Sequence, residues 1–327
     1  MLLLHKNPWL VQPFERLAAA AAQGRFPHAL LISGQPGLGK AAFAGELARF
    51  LVCESPVEGS GACGKCTGCT LFAAGNHPDF FSISPGEDSS AIKVDQIRAL
   101  AEGLAMSRHG GGFKVAILNP AEAMNINAAN SLLKTLEEPT DNTVLVLVSA
   151  NPGRLPATVR SRCQQVRIPV PRRDQAVAWL KQQVEVGQPD VYLSLARGAP
   201  LLALQLAQGN ALEERARQFQ ALVGVYQGRQ DPIALAASWS KDEDLTGLHW
   251  LREWLMDLLR IRLTGHVRGI HGIDLAEGLQ ALARQMDCKV MFGQLDRVGR
   301  AIQMAGSGIN RQLMTEDILL AWAAGTS

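Results

Sequence analysis

Two stretches of this chain carry residue types at spacings that chemistry requires. The first is Gly34-Gln35-Pro36-Gly37-Leu38-Gly39-Lys40-Ala41. Gly34, Gly37 and Gly39 let backbone N–H groups turn inward around phosphate oxygens, and the N-terminus of a following helix adds partial positive charge. Lys40 stands where a lysine reaches the outer phosphates. The motif then calls for Ser or Thr, whose hydroxyl holds Mg²⁺. Here that position is Ala41, which has no oxygen to offer.

Two later positions bear on the same chemistry. Lys114–Leu118 reads as an apolar strand. In P-loop ATPases such a strand ends in a carboxylate that helps hold Mg²⁺, and a second acid can polarise the attacking water. Asn119 and Pro120 occupy those places. Glu122 lies two positions further on, at the start of the next helix, and is not counted as a substitute. With the hydroxyl and both carboxylates missing, intrinsic ATP hydrolysis is not expected. The glycines and Lys40 remain, so nucleotide binding stays an open question.

The second stretch is Cys63-Gly64-Lys65-Cys66-Thr67-Gly68-Cys69. Closely spaced thiolates on a glycine-bearing loop can turn onto one ion, and a fourth ligand closes a tetrahedron. Cys53 is the expected fourth ligand because its intervening loop is short; Cys163 and Cys288 are the competitors. An iron–sulfur run would place another cysteine soon after Cys69, followed by proline. Position 73 is Ala, so structural zinc is the expectation. Four sulfurs leave no open coordination position for catalysis.

These residues need elements to hold them. Ala29–Ser33 reads as a buried strand and Ala41–Val52 as a helix, which is the strand–turn–helix context of a phosphate loop. Further strands are expected at Asp79–Ile83, Lys114–Leu118, Val144–Ser149 and, at an edge, Gln165–Ile168. Helices are expected at Pro8–Ala22, Val94–Met106 and Asn125–Glu138. Continuous apolar strands alternating with helices predict a parallel sheet covered on both faces. From Pro171 onward the periodicity is helical throughout, and Leu248, Leu251, Leu255 and Leu258 make one apolar stripe, with Trp250 and Trp254 on flanking faces.

Composition bounds the rest. The chain has 327 residues and a net charge of +2, which gives no strong pull toward nucleic acid or a membrane. No apolar run approaches the ~20 residues that span a bilayer. The start has no signal-peptide pattern. Six cysteines, three of them tightly spaced, fit a metal site inside the cell better than a secreted disulfide framework, so a cytoplasmic protein is expected.

Longer blocks carry a family resemblance. They are His28-Ala29-Leu30-Leu31, the Cys63–Cys69 run, His77-Pro78-Asp79, Ala129-Asn130-Ser131-Leu132-Leu133-Lys134-Thr135-Leu136-Glu137-Glu138-Pro139, Leu155-Pro156-Ala157-Thr158-Val159-Arg160-Ser161-Arg162-Cys163 and Gly308-Ile309-Asn310-Arg311. Across nearly its whole length the chain resembles the AAA+ clamp-loader family of bacterial DNA polymerase III, in its delta-prime branch. The ATP-driven motor subunits share most of these blocks. They differ at Ala41, Asn119 and Pro120, and at Leu201, where a nucleotide-sensing arginine is expected.

The resemblance implies an AAA+ P-loop core over 1–168 with a four-cysteine zinc module, a helical lid over 169–208 and an all-α collar over 209–327. It implies that Arg162 is an arginine finger, reaching the ATP site of a neighbouring subunit. Arg160 is read as an ordinary surface arginine. The implied partners are the motor subunits and the delta subunit in a hetero-oligomer, with the sliding clamp and primed DNA met through the assembled complex. In that complex the chain would serve as a stator. Two rival functions are an active ATPase motor and a zinc-dependent nucleic-acid-binding module. The second is weakened because Lys65 is the only base in the cysteine run and no aromatic residues are interleaved there.

Overall fold

A computed structural model of the chain describes residues 6–57, 61–86, 89–185, 187–242, 245–304 and 309–325. Gly308 of the last resemblance block lies outside the described residues. The chain forms two compact units, Met1–Arg172 and Arg173–Ser327.

The first unit is a five-stranded sheet of β1 (Ala29–Ser33), β2 (Phe80–Ile83), β3 (Lys114–Leu118), β4 (Thr143–Ser149) and β5 (Gln164–Arg167). The spatial order is β2-β3-β4-β1-β5. All four pairings are parallel, with Leu31 opposite both Leu147 and Gln165, and Ala116 opposite both Leu145 and Phe81. Every residue of β1, β3 and β4 is buried. That burial explains their near-continuous apolar sequences, because helices cover both faces of a parallel sheet. The edge strand β5 is short and exposes Gln164, Gln165 and Arg167, which discourages further strand pairing.

The covering helices are α1 (Val11–Ala22), α2 (Lys40–Leu51), α3 (Thr67–Ala73), α4 (Val94–Ala105), α5 (Ile126–Glu137) and α6 (Ala157–Arg160). The predicted first helix splits at its start, where Pro8–Leu10 forms a 3₁₀ turn before α1. Asn125 caps α5, its side-chain oxygen accepting the N–H of Ala128 at 2.8 Å. Helix α3 has no counterpart among the predicted elements, which left the cysteine run as turns. This is the parallel α/β core with a cysteine-bearing insertion expected of the AAA+ class.

The second unit is all-helical: α7 (Arg173–Gln183), α8 (Pro189–Leu195), α9 (Pro200–Gln208), α10 (Ala211–Tyr226), α11 (Pro232–Trp239), α12 (Thr246–Thr264), α13 (Ala276–Gln285), α14 (Cys288–Met304) and α15 (Arg311–Ala324). Its central member is α12, which buries Leu248, Leu251, Leu255 and Leu258 as its sequence predicts. Trp254, expected on a flanking face, is fully buried, with its ring 5.3 Å from that of Phe219 in an edge-on contact. Gly265 ends α12 in the left-handed conformation, its N–H donating to the Ile261 carbonyl at 2.8 Å.

Candidate functional site

Because every strand runs the same way, Gly34, Asn119 and Ala150 all lie at the carboxyl edge of the sheet, where open α/β sheets place their ligands. The phosphate loop joins β1 to α2. Gly37 and Gly39 have φ of 78° and 82°, conformations that a residue with a Cβ adopts only under strain. A Cβ on Gly34 would lie 3.0 Å from the Ile168 carbonyl oxygen, so a side chain there would crowd the segment that follows β5. The indole N–H of Trp9 donates to the Leu38 carbonyl at 2.9 Å, tying the 3₁₀ turn to the loop.

Lys40 opens α2 and is buried, and its ammonium donates to the Gln35 carbonyl at 2.9 Å. Burial holds its pKa below the usual lysine range, an effect partly offset by the carboxylate of Glu122. Ala41 is exposed and presents only a methyl. Asn119 and Pro120 directly follow β3. Glu122 belongs to the same edge, a placement its sequence position did not reveal. Its Oε1 accepts the N–H groups of Ala150 at 2.9 Å and Asn151 at 3.0 Å, in the loop after β4. Its Oε2 is buried without a hydrogen-bond partner among the described residues. The edge thus keeps a cationic phosphate cradle and lacks the strand-end acids and the hydroxyl.

The cysteines converge as the spacing predicts. The sulfurs of Cys53, Cys63, Cys66 and Cys69 all lie within 4.8 Å of one another, with Cys53 to Cys66 at 3.9 Å and Cys63 to Cys69 at 4.0 Å. A zinc tetrahedron with Zn–S bonds of ~2.3 Å has edges of ~3.8 Å, so the cluster fits such an ion closely. Each sulfur also accepts at least one backbone N–H, Cys63 accepting that of Lys65 as well as that of Cys66. Cys63 donates to Cys53, Gly64 to Cys69, Cys66 to Cys63 and Cys69 to Cys66, at 3.3 to 3.4 Å. Such donors disperse thiolate charge. Those of Lys65 and Cys66 pull the Cys63 thiol down to about 6. Burial raises Cys53 and pushes Cys69 up to about 12. The competitor Cys163 packs instead in the core around the sheet, where burial raises its thiol to about 11. Cys288 lies at the start of α14, in the second unit.

The His77-Pro78-Asp79 block lies beside the cysteine run, where a Cβ on Gly68 would be 3.4 Å from His77 Nε2. His77 is buried, its Nδ1 accepts the Asp79 N–H at 3.1 Å, and burial lowers its pKa. The buried Asp79 carboxylate accepts N–H bonds from His109 and Gly110, both at 3.0 Å. Those bonds draw the triple-glycine turn onto the end of α2, where Phe113 donates to the Leu51 carbonyl at 2.9 Å.

Arg162 lies in the turn between α6 and β5. Val159 and Cys163 on either side of it are buried in the same core as Leu132 and Leu136 of α5, so the turn carrying Arg162 is anchored. The side chain itself is 36% exposed. One terminal nitrogen donates to the Thr158 carbonyl at 2.9 Å, and the other lies 2.6 Å from a Glu137 oxygen. Arg160 is exposed.

Comparison with known proteins agrees with this arrangement. A family model described as DNA polymerase III, delta subunit, matches residues 10–172, and one for the C-terminal part of that subunit matches residues 209–324. DNA polymerase III subunit delta' of Pseudomonas aeruginosa is 35% identical over 324 residues, covering 97% of each chain. The chain belongs to the delta-prime family of DNA polymerase III subunits. The Escherichia coli delta' subunit is 36% identical over 319 residues, covering 96% of this chain and 94% of its own. The tau subunit of Escherichia coli is 34% identical over 152 residues, which is 46% of this chain and 23% of tau. Among the described residues, no helix of this delta-prime family member is long and apolar enough to cross a membrane.

Proposed function

We propose that this chain is the non-hydrolysing member of a cytoplasmic clamp-loader complex, a stator against which ATP-driven motor subunits move as the sliding clamp is loaded on primed DNA. The observation that carries the reading is the carboxyl edge of the sheet. It keeps the glycines and Lys40 but presents a methyl at Ala41 and no acid at Asn119 or Pro120. Mg²⁺ has neither hydroxyl nor strand-end carboxylate to hold it there.

The chain's own chemical contribution is Arg162, given in trans. Phosphoryl transfer spreads negative charge over the γ-phosphate oxygens, and a rigid guanidinium neutralises it, with effects of ~10³–10⁵ in rate in strong cases. The anchored turn and half-exposed side chain support that role, as does membership of the delta-prime family. The partners are motor subunits and a delta subunit, and the clamp and DNA are met through the assembly. The four cysteines hold one structural zinc. When bound, that ion supplies a cross-link between the end of α2 and the start of α3, and takes no part in ATP chemistry.

The test is DNA-stimulated ATP turnover by the reconstituted loader, with parent chain and with Arg162→Ala, and by the isolated chain. An inert isolated chain and an impaired variant loader are expected. Turnover by the isolated chain would place it with the motors, and a fully active variant loader would remove the finger.

A further inference from the structure

The geometry points to Glu137 as the positioning residue for Arg162, a role that rests on the reading of Arg162 as a finger acting in trans. Glu137 is the last residue of α5, and its Oε1 lies 2.6 Å from an Arg162 terminal nitrogen. The other terminal nitrogen donates to the Thr158 carbonyl at 2.9 Å. Two acceptors from two different elements therefore fix the plane of the guanidinium. An arginine has five N–H donors in a rigid fork, so two can be committed while the others stay free for an anion.

The end of α5 is itself held in place. The Nε2–H of His28 donates to the Leu136 carbonyl, with 3.2 Å between the atoms, one residue before Glu137. Leu132 and Leu136 are buried in the core that also holds Val159 and Cys163. Three blocks far apart in sequence thus meet at one point: the strand-leading His28, the helix-ending Glu137 and the turn bearing Arg162. The last turn of α5 also offers a guanidinium the negative end of the helix dipole. A long, half-exposed arginine would otherwise sample many rotamers, and restricting them in advance raises the fraction poised to meet a γ-phosphate. Glu137 touches no reacting atom and acts through Arg162.

The size of the effect follows from the exposure of the pair. Both side chains are substantially exposed, Glu137 at 50%, so the coupling is that of a surface ion pair, about 2- to 5-fold in an equilibrium or rate. The experiment is a double-mutant cycle on ATP turnover by the complete loader with clamp and primed DNA, using parent, Glu137→Gln, Arg162→Ala and the double variant. Glu137→Gln keeps the shape and removes the charge. It is expected to lower kcat about 2- to 5-fold, with Glu137→Asp recovering part of the loss. Once Arg162 is Ala, the same change should have no further effect. Unchanged thermal unfolding of the isolated variant chain separates positioning from folding. An equal loss from Glu137→Gln in both backgrounds would reduce Glu137 to a structural role. Parent-level turnover in Glu137→Gln beside an impaired Arg162→Ala would overturn the positioning role and leave the finger standing. Full activity in Arg162→Ala would overturn both.

Discussion

The ammonium of Lys40 donates to the carbonyl of Gln35 at 2.9 Å, so the lysine of the phosphate loop is held by the loop itself. Burial nevertheless makes its charge unfavourable, lowering its pKa from the ordinary 10.5. With the folded pKa below the unfolded one, the unfolded chain binds more protons between the two values, so stability from this group rises with pH through that window. Below both values the full penalty is present. Lys40→Met should therefore leave the first unit at least as stable as the parent at pH 7. The difference should close as pH climbs toward 10.5. Urea unfolding at several pH values measures it; a marked loss at pH 7 would make the lysine a net stabiliser.

Zinc uptake carries a proton count. Without metal, Cys53 is raised and Cys69 lies near 12, so both are protonated at neutral pH, whereas Cys63 near 6 is already ionised. Ligand thiols must be deprotonated, so binding should release at least two protons at about pH 7.5. Calorimetry in buffers of different ionisation enthalpy reads that number, and elemental analysis should find about one zinc per chain. Cys69→Ser should lose most of it. Release of one proton or none would mean that Cys53 or Cys69 stays outside the coordination shell.

Gly68 sits inside the cysteine run against the backbone of the residue before Cys53. A Cβ there would lie 2.6 Å from the Val52 carbonyl oxygen and 3.4 Å from His77 Nε2. The first contact is with backbone, so α3 would have to move away from the end of α2. Gly68→Ala should cost about 1–3 kcal/mol and speed zinc loss to a chelator. Gly64, with open space around its Cβ position but φ of 75°, is the comparison. Its alanine variant should show only backbone strain of about 1–2 kcal/mol. Equal zinc retention by parent and Gly68→Ala would show that α3 tolerates the shift.

Much of this was legible because local pattern and tertiary role coincide. The strand Lys114–Leu118 falls on its predicted residues because burial on both faces demands an unbroken apolar run. The cysteine cluster declares itself by spacing, and the nearest candidate, Cys53, is its fourth sulfur. Other features depend on distance in space and leave no mark in sequence. Helix α3 is seven residues long and is nucleated by Cys66, whose sulfur caps it by accepting the Cys69 N–H; no amphipathic period shows in so short a stretch. Glu122 lies in a 3₁₀ turn, yet its carboxylate binds a loop 28 residues away. The pairing of Glu137 with Arg162 is equally invisible, since neither residue predicts the other.

In the second unit, Arg215 is almost fully buried and pairs with Asp274 through two contacts of 2.6 and 2.7 Å. The guanidinium also lies over the Trp254 ring, 5.5 Å from its centroid, while its Nε and Nη2 have no hydrogen-bond partner among the described residues. A buried pair of this kind owes more to the cost of breaking it than to its own net attraction. Asp274→Ala would strand a buried charge and should cost about 3–5 kcal/mol. Arg215→Met with Asp274→Leu removes both charges at similar volume and should cost clearly less. The neighbouring Asp257 stays satisfied, because it accepts the N–H groups of His271 and Gly272 at 3.0 and 2.8 Å. Amide hydrogen exchange across Ala211–Tyr226 reads the local stability directly, avoiding the assumption that a chain of two units unfolds in one step. A double variant as unstable as Asp274→Ala would mean that the pair itself, through its geometry and the stacking on Trp254, holds the helices together.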